Sequence, residues 1–212
     1  MSMPAAVALD FDGVILQSNS IKTDAFRHLF AAWPQHLEEI VTLHRQFGGI
    51  SRLRKFDKIF TEILNEPLSP ERRVEMGEQF TSFVFDAVLE CPMIAGAEEF
   101  IRIWSKRCPL FVVSGTPQDE LHEIVRRRSI GEYFIELHGS PREKPDILND
   151  ILARHGLTPE QMPYVGDAPS DERAARACGL RFIGVASDGV GPFESPDIVL
   201  KDLTGLGAAL VT

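Results

Sequence analysis

No apolar run in the 212 residues approaches the ~18 needed to cross a bilayer. Met1 to Ala8 have neither a basic start nor a long apolar stretch, so neither membrane insertion nor export is expected. Basic residues are the minority: 22 Lys plus Arg against 31 Asp plus Glu give a net charge of -9. That balance repels phosphate backbones and anionic lipid at long range, which excludes nucleic acid and membrane as expected partners. Cysteine is scarce as well. Cys91, Cys108 and Cys178 are odd in number, far apart and outside any CxxC spacing, which fits reduced packing thiols in a cytoplasmic protein rather than a disulfide framework. Repeats and low-complexity tracts are missing, and with 25% charged and 44% apolar residues the composition excludes wholesale disorder, collagen-like repetition and coiled-coil arrays. What is left is a packed chain, long enough to bury a core without staples.

Short apolar runs are present at intervals. Ala5-Ala6-Val7-Ala8-Leu9 ends in Asp10-Phe11-Asp12-Gly13, Pro109-Leu110-Phe111-Val112-Val113 in Ser114-Gly115-Thr116-Pro117, and Met162-Pro163-Tyr164-Val165 in Gly166-Asp167; Arg181-Phe182-Ile183-Gly184-Val185 repeats the theme. Each reads as a buried parallel strand with polar residues at its end. Between them, helical patterns run from Glu98 to Ser105, Gln118 to Arg128, Lys144 to His155 and Ser170 to Cys178, punctuated by Gly or Pro. The alternation predicts an α/β fold: a Rossmann-like open parallel sheet with helices on both faces, which binds ligands beyond the carboxyl ends of its strands.

Residues 17–90 break the alternation. Ile21, Ala25, Leu29 and Trp33 share one helical face, as do Leu53, Phe56, Ile59, Phe60, Ile63 and Leu64, and then Val74, Phe80, Phe83, Val84, Ala87 and Val88. Pro34, Gly48-Gly49 and Pro67 mark breaks, and Ser51 and Ser69 have the residue type of N-caps. An all-helical domain over 17–90 is therefore expected, inserted into an α/β core made of residues 1–16 and 91–212.

The chemistry-bearing residues sit at the strand ends. Asp10 and Asp12, two residues apart after an apolar strand, repel each other unless a cation or proton keeps them together; an Asp-Gly turn gives the same pattern. Asp167 and Asp171 add two acids at another strand end and in the first turn of the following helix, where both should face the crevice, although Asp171 could simply complement the helix dipole. Hard oxygen ligands in this number suit magnesium. In Ser114-Gly115-Thr116-Pro117, read as a strand-to-helix turn with Pro117 at the first helical position, free amides could hold an oxyanion; a plain N-cap is the alternative. Lys144 starts a helix, where a cation opposes the macrodipole and calls for an anionic partner, which Glu143 could supply.

In the order Asp10-x-Asp12, Ser114, Lys144, Gly166-Asp167-x-x-x-Asp171, these positions resemble the four signature motifs of the haloacid dehalogenase superfamily, in its phosphoglycolate phosphatase and β-phosphoglucomutase branch. The resemblance spans almost the whole chain, and 17–90 corresponds to the helical cap domain of that superfamily. It implies a magnesium-dependent phosphatase acting on a small phosphorylated metabolite. Asp10 would be the nucleophile and Asp12 the acid-base residue. Ser114, Gly115 and Lys144 would hold the phosphoryl oxygens. The metal would be held by Asp10, the backbone carbonyl of Asp12 and Asp167, with Asp171 supporting that shell. Asp12 favours phosphomonoester chemistry over carbon-halogen cleavage, whereas Gln17 departs from the Asp found there in many capped relatives.

Substrate choice is expected from the cap. Arg52, after the glycine break Phe47-Gly48-Gly49-Ile50-Ser51, is the candidate contact for the leaving group, while Arg45, Arg54, Lys55 and Lys58 read as a solvated helical face. Lys22 is undecided between surface and site, and His44 reads as an ordinary packing or surface residue. Two other functions remain open: a sugar-phosphate mutase of the same superfamily, and a non-catalytic phospho-binding or signalling module.

Overall fold

The computed structural model describes residues 3–211. Six strands form one parallel sheet: β1 (Val7–Leu9), β2 (Leu110–Pro117), β3 (Glu136–Ser140), β4 (Tyr164–Gly166), β5 (Phe182–Val185) and β6 (Ile198–Leu200), in the order β3-β2-β1-β4-β5-β6. Val7, Ala8 and Leu9 pair with Leu110, Phe111 and Val112 on one side, and Ala8 and Leu9 with Tyr164 and Val165 on the other. The strand order reverses at β1, so the crevice beyond the end of β1 is the switch point where such sheets bind ligands.

Strand alternation sends neighbouring side chains to opposite faces. Val7 and Leu9 join a cluster with α5 (Ala97–Trp104), α6 (Gln118–Arg127) and α9 (Leu206–Ala209), while Ala6 and Ala8 pack against α7 (Lys144–His155) and α8 (Pro169–Ala177). Helices therefore cover both faces, as expected. The strands are fully buried apolar runs because neither face meets water.

Two strands escape the periodicity. β3 carries Glu136, His138 and Ser140 at the sheet edge, and β6 is three half-buried residues at the opposite edge. The predicted turn at Ser114–Pro117 is also corrected. β2 continues through it with a register shift, Pro117 pairs with Ser140, and α6 opens at Gln118 with Pro117 before it.

Between β1 and α5 the chain is helical: α1 (Asn19–Leu29), α2 (Leu37–Gln46), α3 (Arg52–Lys58) continuing into a π-helical stretch (Ile59–Leu64), and α4 (Pro70–Glu90). Ser51 and Ser69 cap α3 and α4, accepting from the amides of Arg54 and Arg72, and so satisfy donors that each helix leaves free at its start. Phe26, Phe30, Phe56, Phe60 and Phe80 form the aromatic centre of this insert, with ring centroids 5.1 to 6.3 Å apart. These rings belong to the same apolar cluster as Val7 and Leu9, so the insert sits on the sheet through a continuous core. No helix among the described residues is long and apolar enough to cross a membrane.

Candidate active site

β1 delivers Asp10 to the switch point between the ends of β2 and β4, and its amide donates to the carbonyl of Val165 at 2.8 Å. The residue is 2% exposed. Its Oδ1 accepts from the amide of Phe11 at 2.7 Å, and Oδ2 lies 3.0 Å from the Lys144 ammonium. Lys144 also donates to Asp171 at 2.5 Å. Asp171 is completely buried, and the Tyr164 hydroxyl at 2.8 Å and the Ala168 amide at 3.1 Å complete its contacts. Rather than facing the crevice, then, it stands behind Lys144 and fixes the lysine opposite Asp10.

Carboxylate oxygens of Asp10, Asp167 and Asp171 lie within 4.8 Å of one another. Burial pushes the Asp167 carboxyl up to about 7, aided by the charge of Asp171 and opposed by the Asn19 amide and Lys144. Asp10 is likewise raised by burial and by the nearby acids, against the pull of Lys144. Lys144 is itself raised, because Asp10 and Asp171 outweigh its burial. Lys144 thus draws Asp10 toward its ionised form, while burial and the neighbouring acids oppose it.

Asp12 is held apart from this cluster. Its Oδ1 accepts from Ser18 at 2.6 Å, and its Oδ2 from Thr116 at 2.8 Å and from Lys22. Burial alone would raise this carboxyl, but the charge and hydrogen bond of Lys22, with the hydrogen bonds from Ser18 and Thr116, hold it at about 2. When all four carboxyls are ionised they face two ammonium groups, Lys22 and Lys144, which leaves two negative charges. A divalent cation fits that remainder.

Gly13 is required at the bend after Asp12. Its φ is +76°, and a Cβ there would lie 2.0 Å from Asp167 Oδ2. Asn19, at the start of α1, donates to the same oxygen at 2.5 Å, so the insert's first helix braces the acid cluster.

A cavity of about 380 Å³ opens beside these residues, with Asp10, Asp12, Asp167, Gly115 and Thr116 on its sheet side and Lys22, His44, Arg52, Lys55 and Phe80 on its insert side. Gly48–Ile50 wedges between it and a second space of about 310 Å³ that contains Ser114 and Lys144. The wedge is tight. Ser170 Oγ donates to the Gly48 carbonyl, and a Cβ on Gly115 would lie 2.6 Å from the Gly49 carbonyl oxygen. Ser114 Oγ accepts from the Thr116 amide at 3.1 Å. Arg52 lies at the cavity wall with its guanidinium engaged: 2.6 Å to Glu120, 2.8 Å to Thr81 and 4.5 Å above the Phe80 ring.

Sequence reasoning missed Asn19, Thr116 and Tyr164 and left Lys22 undecided. Thr116 had a visible signal, a second hydroxyl two residues after Ser114. Tyr164 had none, because within a strand it reads as core. His44, read from sequence as packing or surface, and Lys55, read as a solvated face, are both buried at the cavity.

A sequence model of haloacid dehalogenase-like hydrolases matches residues 4–179. A phosphorylated carbohydrates phosphatase of Thermotoga maritima is 29% identical over 207 residues, covering 92% of this chain and 93% of that protein. A phosphoglycolate phosphatase of Pseudomonas putida is 28% identical over 145 residues, 62% of this chain and 53% of that protein. Among solved structures, CbbY of Rhodobacter sphaeroides in complex with phosphate superposes with a TM-score of 0.76 at 19% identity, covering 99% of each chain. YfnB of Bacillus subtilis bound to magnesium gives 0.72 at 15% identity over 99% of each. At such identities these structures speak to the fold.

Proposed function

The chain belongs to the haloacid dehalogenase-like hydrolases, and from that premise we propose a magnesium-dependent phosphatase that cleaves a small phosphomonoester through an aspartyl-phosphate on Asp10. Phosphoric monoester hydrolysis is the activity named for the Thermotoga and Pseudomonas relatives. The observation that carries the reading is the meeting of Asp10, Asp167 and Asp171 within 4.8 Å of one another beside Lys144, with Asp10 and Asp167 on the wall of a cavity.

Asp10 is built to attack. Its Oδ1 is tied to the Phe11 amide and Lys144 points its other oxygen, so the nucleophile is oriented before substrate arrives. Attack on phosphorus splits one difficult substitution into two easier ones. Lys144, Ser114 and the Gly115 amide would hold the equatorial phosphoryl oxygens, where positioning and charge neutralisation provide most of the catalysis. Magnesium, when held by Asp10, the Asp12 carbonyl and Asp167 with Asp171 in support, supplies the charge that lets an anionic nucleophile approach an anionic phosphoryl group.

Asp12 performs the proton chemistry. Pinned by Lys22, Ser18 and Thr116, it is in its basic form, ready to take a proton from the water that hydrolyses the acyl-phosphate. Protonating the leaving oxygen in the first step requires the Lys22 contact to loosen. The test is release of inorganic phosphate from an aryl phosphate, with and without magnesium, by the wild type and by Asp10→Asn. Release that depends on magnesium and vanishes in the variant is expected; undiminished release by Asp10→Asn would remove Asp10 as the nucleophile.

A further inference from the structure

The pairing of β2 with β3 is interrupted where β2 reaches the cavity. Val113 pairs with His138 and Pro117 with Ser140, with a register shift between them, so Ser114, Gly115 and Thr116 of β2 stand opposite Gly139 of β3. A bulge of this kind disrupts the ladder locally and re-aims side chains. The re-aimed residues are those of the candidate site. Gly115 and Thr116 line the cavity beside Asp10, Ser114 shares the second space with Lys144, and Thr116 donates to Asp12 at 2.8 Å.

A disrupted ladder needs other partners for its backbone groups, and Gln118, the first residue of α6, supplies them. Its Oε1 accepts from the Gly139 amide at 2.5 Å and its Nε2 donates to the Leu137 carbonyl at 2.8 Å. The side-chain amide thus offers β3 one acceptor and one donor, as a peptide unit does, and the two backbone partners fix which way it points. Its second Nε2 proton goes to His122 Nε2 at 2.5 Å. The fit is close, because a Cβ on Gly139 would lie 2.5 Å from the Thr116 carbonyl oxygen and 2.8 Å from Gln118 Cα. Gln118 faces a groove with His122 and Leu137 rather than the cavity. From the strand end that it holds, the chain runs through Ser140 to Lys144 at the start of α7. One amide therefore ties together the two segments that carry Ser114, Gly115 and Lys144.

We infer that Gln118 is a positioning residue for phosphoryl transfer: by bonding β3 across the register shift it holds Ser114, Gly115 and Thr116 in the bulged path from which they meet the phosphoryl oxygens, without touching the substrate itself. The inference rests on the phosphatase reading and adds to it the support of the oxyanion loop.

The test is calorimetric binding of vanadate, whose equatorial oxygens imitate the transferring phosphoryl group, to the magnesium-loaded protein. Gln118→Met keeps the length of the side chain and removes both bonds to β3. Gln118→Glu keeps the acceptor for the Gly139 amide and sets a second oxygen against the Leu137 carbonyl. Each should weaken vanadate roughly tenfold to a hundredfold, the scale of a small misplacement of binding groups. Magnesium affinity, which depends on residues following β1 and β4, should stay unchanged. Vanadate binding by Gln118→Met equal to that of the wild type, or by Gln118→Glu if the Met variant does not fold, would overturn the inference.

Glu136→Gln alters the same strand away from the bulge and separates positioning from general loss of stability. It should bind vanadate as the wild type does. A loss as large as that of the Gln118 variants, or magnesium affinity that falls in step with vanadate affinity, would assign Gln118 to the scaffold alone and defeat the inference. Turnover of an aryl phosphate by the wild type is scored separately. If nothing is hydrolysed while vanadate binding still depends on Gln118, the phosphatase reading fails and the positioning role stands; a wild type that binds no vanadate overturns the role itself.

Discussion

Replacing Asp167 by Asn keeps the shape and an oxygen to accept from Asn19, and removes one of the two surplus negative charges. In the native chain the Asp167 carboxyl sits at about 7 against an ordinary 3.8, a gap of about three pH units, or ~4 kcal/mol. Asp167 keeps some contact with solvent through the cavity, so this value is a ceiling. The sign follows from proton binding. Between pH ~4 and ~7 the folded state holds a proton that the unfolded chain has released, so wild-type stability falls as pH rises through that window and levels off above it. Asp167→Asn lacks that fall. In chelator, urea unfolding should give equal stabilities near pH 4 and a variant more stable by up to ~4 kcal/mol at pH 8. Magnesium at pH 8 should then stabilise the wild type markedly, by mass action on the folded state, and the variant much less. A variant no more stable than wild type at pH 8 without metal, or equally stabilised by magnesium, would refute the view that these carboxylates are spaced for a cation.

Three further outcomes are expected. Glu136 accepts from Arg154, His155 and His138, which holds its carboxyl below the usual range despite some burial; Glu136→Gln should be less stable by about 1 kcal/mol at pH 7. Because this carboxyl is depressed, its contribution is present above pH ~4.5 and lost below it, so denaturation curves at pH 5 and pH 3 should show the deficit narrowing, and a constant deficit would contradict the charge argument. Glu120→Leu strands the buried Arg52 guanidinium and should cost about 3 kcal/mol, with a smaller deficit once Arg52→Met is added; additive losses in the unfolding cycle would mean the two side chains do not act as a pair. Gly13→Ala drives a Cβ into Asp167 Oδ2 at a backbone angle alanine resists, and titration calorimetry should show magnesium binding weakened at least tenfold; unaltered binding would separate the bend from the metal site.

The central strands and the helices between them were legible because full burial on two sides leaves an apolar run with a polar end, and Asp10 and Asp167 stand where that pattern stops. β3 was not legible, since an edge strand bearing Glu136 and His138 shows no such run. Asp171 was legible by position, but its orientation was not: the buried Tyr164 hydroxyl and the Lys144 ammonium draw it inward. Lys55 was misread because Arg52-Leu53-Arg54-Lys55 looks like a wet surface. The signal was in the spacing, because residues 52, 55, 56 and 59 fall on one helical face, where Phe56 and Ile59 are core.

The insert does more than roof the cavity. Lys22 and Asn19 come from its first helix, and they grip Asp12 and Asp167. The ionised state of Asp12 therefore depends on where α1 sits, because Lys22 provides the main pull against its burial. The links that hold the insert to the sheet side differ in weight. Arg54–Glu143 is an exposed pair, 54% and 47% open to solvent, worth under about 1 kcal/mol. Arg52–Glu120 is buried at both ends, shares Thr81 and lies over Phe80, so it is less screened than the exposed pair. Arg52, committed to Glu120, keeps α3 against α6, as α1 keeps Lys22 against Asp12. On the proposed mechanism, proton transfer through Asp12 is thereby tied to the placement of the insert.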